Sequence, residues 1–366
     1  METMPASSPP DLSDDELFDL AAGAVSRPKS EPADSFRLHA PLELLARRTL
    51  LDRVDPARRH QARDRILWVA DTYAKSGGPS RAADDYTPAP PDPDAMVASL
   101  AAAGHASIFC SLLPRVAERH PSAISLLRPL AIELERYPDW KVEWVDASPL
   151  RGAGDEDALT RALLATPRLG LPGSDFIFPI VHQVDANDVA RSVVEPVVGA
   201  GTDLAAAARV LARVAAWSML QDDPAHAPYG WTHCLTLPQA LANIAHTTRN
   251  PTRAVAIAAT HTVGFRAALS SADVIPGYAP DPVEVDWLAA LDASPQAAAA
   301  AVHHAPAAAV AEITTELATR AALHTDAHVV KYTLACFDAG EADPGHARLF
   351  LSAAAYLHGW WAQAGA

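Results

Sequence analysis

Apolar positions recur through most of the chain at the three- and four-residue spacing of helices, and sustained alternation is almost absent. Residues 1–12 read as a flexible tail. Ser13, with Glu16 three residues on, forms a capping-box pattern ahead of LFDLAAGAV and predicts a helix start. Residues 28–35 read as a linker, and 41–54 and 56–74 each open on a proline and continue with helix formers. Residues 76–93 are dense in Gly, Pro and Asp and predict a long loop. Beyond it the pattern predicts helices over 96–119, with a break near Gly104, and over 122–137, 155–165, 186–198, 203–220, 238–247 and 251–270. After one short helix within 280–295, four alanine-rich segments follow at 295–305, 306–323, 326–337 and 344–362. Only DWKVEWVD, 139–146, alternates as a short strand does.

Strands do not alternate with helices, so a doubly wound sheet is rejected. The expectation is an all-α protein, a large irregular helical bundle with a buried metal site. It forms one domain over 13–366, with an N-terminal subregion at 13–75, the loop at 76–93 and the main bundle at 94–366.

Composition narrows the function. Hydrophobic residues are 49% and charged residues 20% of the 366, the balance of a folded globular chain. The formal net charge of −15 comes without a basic run, which argues against nucleic acid and anionic membranes as partners. Three scattered cysteines, an acidic N-terminus without a secretory pattern and no long apolar span lead to the expectation of a cytoplasmic protein. VVGAGTDL (197–204) lacks the third small residue and the strand context of a dinucleotide loop, and needs only a turn. Asp222 and Asp223 have no third carboxylate at helical spacing and read as a solvated loop. HExxH, GxSxG and P-loop patterns are absent from the sequence.

Chemistry concentrates in HTDAHVVK, where His324, His328 and Lys331 stand at i, i+4 and i+7 and would share one face of a helix. His105, His182, His233 and His261 also lie within apolar stretches. A buried imidazole more often bonds a carbonyl than a metal. Five in one helical core favour a shared site, because bundles build metal centres from ligands on separate helices. His60, His120, His226, His303, His304 and His346 lie near loops, prolines or alanine-rich surfaces and fall in the structural class. Lys331 either snorkels or pairs with Asp326 or Asp338, or burial lowers its pKa and leaves a reactive neutral amine. Such an amine adds carbon dioxide to form a carbamate, an anionic oxygen ligand for a divalent metal.

GHASIFCSLLPRVAER, FIFPIVHQV, ATHTVGFRAAL and DAHVVKYTLACFDA, in that order, resemble the histidine-bearing segments of the questin oxidase-like family. That family includes fungal enzymes that open hydroxyanthraquinone rings. The resemblance touches most of the chain beyond about residue 95. It implies an α-helical, mononuclear non-haem iron oxygenase with iron on four histidines and a carboxylated lysine: here His105, His182, His261, His328 and Lys331, with His328 and Lys331 central to catalysis. His105 follows Gly104 where the family has asparagine, and FIFPIVHQV keeps one histidine of the family's pair, so His233 and His324 stand as alternates.

The cofactors implied are Fe(II) and the carbamate on Lys331, with molecular oxygen as co-substrate and a small aromatic polyketide as substrate. A carbamate would lower the charge that four neutral imidazoles leave on the ion. Asp326, Asp185 and Thr262 are the acceptors expected to fix imidazole tautomers. Trp217, Tyr229, Trp231, Trp360 and Trp361 are expected to line the pocket. A zinc-dependent hydrolase using the same lysine, and a non-catalytic helical scaffold, are the alternatives.

Overall fold

The chain folds as an assembly of helices in a computed structural model that describes residues 12–80, 92–174 and 176–365. Among the described residues the only β pairing is three isolated bridges, Lys29 with Ser80, Ser99 with Lys141 and Arg151 with Gly199. The tail at 1–12 and the loop at 76–93 fall largely outside the described residues.

The helices that build and brace the centre are numbered here in chain order: α1 Asp14–Val25, α2 Ser35–Leu51, α3 Arg59–Lys75, α4 His105–Leu112, α5 Ile177–Ala186, α6 Leu204–Gln221, α7 Thr232–Ile244, α8 Pro251–Leu269, α9 Pro295–His304, α10 Val310–Leu323, α11 Ala327–Ala342 and α12 Ala347–Ala364. The capping box at the start of α1 is present on both sides, with Ser13 and Glu16 each accepting from the other's backbone N–H. In the middle of the molecule α2 packs on α4, α4 on α7, α7 on α11 and α11 back on α2. This closed ring of four is braced outside by α3 and α10 against α2, by α6 and α8 against α7, and by α12 against α11. α8 is buried through nearly its whole length, Ala254 to Leu269, which explains its lack of a polar face.

Several predicted elements are corrected. α2 starts at Ser35 under an Asp34 cap, with Pro41 inside it. Proline removes one backbone donor without stopping the helix, so a boundary placed at Pro41 cuts off the first turn and its His39. Residues 96–119 break at Gly104 as expected and are divided further, into short helical pieces on either side of α4. Residues 139–146 contribute one bridging residue and a 3-10 turn, Trp144–Asp146, rather than a strand. His324 closes α10 in extended conformation (φ −66°, ψ 149°), and Asp326 caps α11 as a new helix. HTDAHVVK is therefore not one helical face: His328 and Lys331 share α11, and His324 does not.

The dismissed motifs behave as loops. Gly199 turns against residue 152, where a Cβ would stand 2.2 Å from the Gly152 carbonyl oxygen. Asp222 is buried rather than solvated, accepting from the backbone and hydroxyl of Ser271 at 2.8 and 2.9 Å, and so ties two loops together.

Candidate metal centre

Each helix of the central ring supplies one histidine from its N-terminal part: His39 from α2, His105 from α4, His233 from α7 and His328 from α11. All four are buried. Their rings meet: His39 lies 4.4 Å from both His105 and His328 between centroids, and His233 lies 4.8 Å from His328. Ligand atoms of His39, His105 and His233 all fall within 4.8 Å of one another.

The local backbone aims each ring. His39 Nδ1 donates to the Ser35 carbonyl at 2.5 Å and His233 Nδ1 to the Tyr229 carbonyl at 2.5 Å. The latter acceptor lies in a π-turn, Ala227–Trp231, that leads into α7. His105 Nδ1 donates to the Ala102 carbonyl at 2.6 Å. That carbonyl sits in a left-handed turn, with φ of 49°, 53° and 70° at Ala102, Ala103 and Gly104. Two alanines held there cost on the order of 1–2 kcal/mol each. At Gly104 a Cβ would stand 2.7 Å from Leu237 Cδ2. Glycine and asparagine are the residues that reach this backbone region most easily. Glycine at 104 thus suits the turn. His328 Nδ1 donates to Asp326 at 2.8 Å, and Asp326 also accepts the His328 backbone N–H at 2.7 Å.

These bonds fix the tautomers. A carbonyl cannot donate, so Nδ1 carries the proton in His39, His105 and His233, and Nε2 is left with a lone pair. His39 Nε2 and His105 Nε2 face each other at 3.0 Å, and His233 Nε2 has no hydrogen-bond partner among the described residues. Protonation is a poor remedy. Burial, then the charge of Lys331, then the neighbouring histidines hold His39 well below the ordinary imidazole pKa. Burial leads the same depression at His105 and His233. At His328 burial lowers the pKa against the partial opposition of the Asp326 bond. Facing lone pairs in a buried interior are relieved by a cation bound to both. Two nitrogens 3.0 Å apart also suit neighbouring ligands at about 2.1 Å bond lengths and a right-angle ligand separation.

Lys331 stands one turn along α11 from His328, buried, and its Nζ has no hydrogen-bond partner among the described residues. Burial lowers its pKa to about 7, against the partial support of Asp326 and Glu43. Glu43 is itself buried one turn beyond His39, and Arg47 grips it at 2.5 Å. Arg47 also donates to the carbonyls of Ala322 and His324, the latter at 2.6 Å, which ties α2 to the α10–α11 connection. Asp326 keeps a lowered pKa although burial raises it, because the hydrogen bonds and charge of His328 outweigh that cost.

The remaining expected residues lie elsewhere. His182 is exposed on α5 and stacks on Phe178 at 5.3 Å, so it is no ligand of this centre. His261 is buried on α8 but does not join the converging rings; its Nδ1 has no hydrogen-bond partner among the described residues. One turn beyond it, Phe265 stacks on His233 at 6.4 Å. His324 Nδ1 accepts from the Asp326 backbone at 2.9 Å, a supporting position. Asp185 binds the backbone of Glu143 and Trp144 instead of an imidazole, and Thr262 Oγ1 has no hydrogen-bond partner among the described residues. Of the aromatics, Trp217 and Trp231 are buried core, whereas half-exposed Tyr229 lies 4.9 Å from His328 and 6.4 Å from Trp361 at the solvent side. His39 is the residue sequence reasoning missed. Its signal was Asp34, three residues before Arg37, which marks a helix cap ahead of Pro41.

Comparison of the chain with protein-family profiles, with curated proteins and with solved structures finds no match. Among the described residues no helix is long and apolar enough to cross a membrane.

Proposed function

We propose that the chain is a non-haem iron oxygenase of questin oxidase-like type. In this reading His39, His105, His233 and His328 hold Fe(II), and Lys331 joins them as a carbamate. The observation that carries it is the facing pair of His39 and His105 Nε2 with the unpartnered His233 Nε2 beside them, all three rings fixed by backbone carbonyls, and the adjoining His328 ring held by Asp326. Relative to the sequence expectation, His39 and His233 take the places of His182 and His261.

Fe(II) held there supplies the site at which dioxygen is activated for attack on an electron-rich aromatic polyketide, such as a hydroxyanthraquinone. The chain's own groups do the rest. The four imidazoles stay neutral because burial opposes their protonation, so they remain ligands at neutral pH. Lys331, lowered to about 7, has a large neutral fraction that can add carbon dioxide, and the resulting anion offsets charge in a centre built from helix N-terminal ends. Asp326 holds the His328 ring and lies 3.4 Å from the Tyr229 hydroxyl, which joins ligand to mouth. Tyr229 and Trp361 offer aromatic faces to a flat substrate beside His328.

The test is anaerobic reconstitution with Fe(II), followed by oxygen-uptake measurements with a panel of hydroxyanthraquinones. The proposal expects oxygen consumption coupled to substrate loss, abolished in His39→Ala. Bound zinc with hydrolysis and no oxygen uptake would overturn it in favour of a hydrolase, and absence of any bound metal would leave a scaffold.

A further inference from the structure

Tyr229 and Asp326 precede α7 and α11, so the aromatic mouth lies off the N-terminal ends of the ring helices. Further along the same helices a narrow crevice of about 20 Å³ reaches Lys331 between α4, α7 and α11. Its buried wall includes Ile108, Leu112, Thr236, Ala240 and Ala335, and its half-buried part includes Ser111, Gln239 and Asp338. Gln239 and Asp338 also line a surface cleft of about 530 Å³, so the crevice adjoins that cleft. The volume suits one small molecule, since a water needs roughly 10–15 Å³ on this scale. The walls are pinned: Gln239 donates to the Ala335 carbonyl at 3.0 Å, Asn243 to Ser111 Oγ at 3.1 Å, and Arg115 holds Asp338 at 2.6 Å. The inner end presents the Lys331 amine without a hydrogen-bond partner, and Asp338 Oδ1 likewise has none among the described residues.

We infer that this crevice delivers carbon dioxide to Lys331 by a path separate from the aromatic mouth. The inference rests on the carbamate reading above. Carbon dioxide is narrow and uncharged and crosses a throat whose walls are mostly apolar, whereas bicarbonate must shed hydration there and pass the Asp338 carboxylate. At the inner end the neutral amine's lone pair attacks the carbon and forms the N–C bond. One C=O pair becomes a carboxylate lone pair, and the nitrogen loses one proton to water at the Asp338 end. No oxidant or reductant is needed.

The experiment follows 13C-labelled carbon dioxide into the purified full-length, metal-free chain by 13C NMR. Wild type is expected to build up a carbamate signal that Lys331→Arg lacks. Ala335→Leu, in the throat, and Ser111→Leu, half-buried at its outer part, should slow that build-up by about tenfold or more while reaching the same final intensity. If Ala335→Leu does not fold, Ser111→Leu decides. Build-up at the wild-type rate in the folded variants overturns the crevice route and leaves the carbamate standing. Absence of any Lys331-dependent signal overturns both.

Discussion

His39 and His105 bring two unprotonated nitrogens to 3.0 Å in a buried interior, an arrangement whose stability depends on what lies between them. Removing either ring would take away a proposed ligand, so His39→Ala and His105→Ala are expected to lose stoichiometric metal, measured as metal content after dialysis. His182→Ala should keep it, because His182 is exposed on another helix. Asp326→Asn retains a cap but loses the carboxylate that fixes His328. Its expected effect is about a 10–100-fold weaker metal affinity, read by competition with a chromophoric chelator. At this scale the sequence spoke clearly for His328 and Lys331, whose i,i+3 spacing puts them on one helix face. It was ambiguous for His182 and His261, because an apolar neighbourhood marks a buried helix without telling which centre the ring faces.

The four ring helices converge through irregular backbone as much as through regular turns. The left-handed turn at Ala102–Gly104 and the π-turn at Ala227–Trp231 carry the acceptors for His105 and His233. Gly104→Val would force a branched side chain into φ +70° and onto Leu237. A loss of roughly 2–4 kcal/mol in denaturant unfolding is expected, together with weakened metal binding. Arg47→Leu would strip the buried Glu43, whose pKa burial already raises, of its paired cation and untie α2 from the α10–α11 connection, at a cost of about 3–5 kcal/mol by the same measurement. Helix existence was legible from periodicity nearly throughout. Most starts were too, from Ser13 to the break between residues 323 and 326, but two readings failed: Pro41 hid the first turn of α2, and the shared face proposed for His324, His328 and Lys331 ran across that break. Both failures concern a cap, a local hydrogen bond that apolar spacing does not encode.

The whole molecule holds more imidazole in its interior than the centre uses. His261 is lowered to about 4 by burial, and His358 to about 3 by burial, then by His324 and Arg320. Both are neutral when folded and titrate near the ordinary value, about 6.5, when unfolded. The unfolded chain therefore binds more protons below that pH. Stability is full above about pH 6.5 and falls as pH drops toward 4 for His261 and toward 3 for His358. Urea midpoints measured between about pH 7 and pH 4.5 should fall steadily, and His358→Gln should flatten the slope. The all-α class was legible because long-range order here is helix on helix, which periodicity reports. The ring closure of α2, α4, α7 and α11 was not, since histidines drawn from residues 39 to 328 are joined only by packing. The central claim is that this closure makes one metal site. Anaerobic Fe(II) titration by calorimetry, on wild type and on His39→Ala, tests it most directly. The account predicts one Fe(II) per wild-type chain and no such binding in the variant; equal binding by the two proteins, or none by wild type, would contradict it.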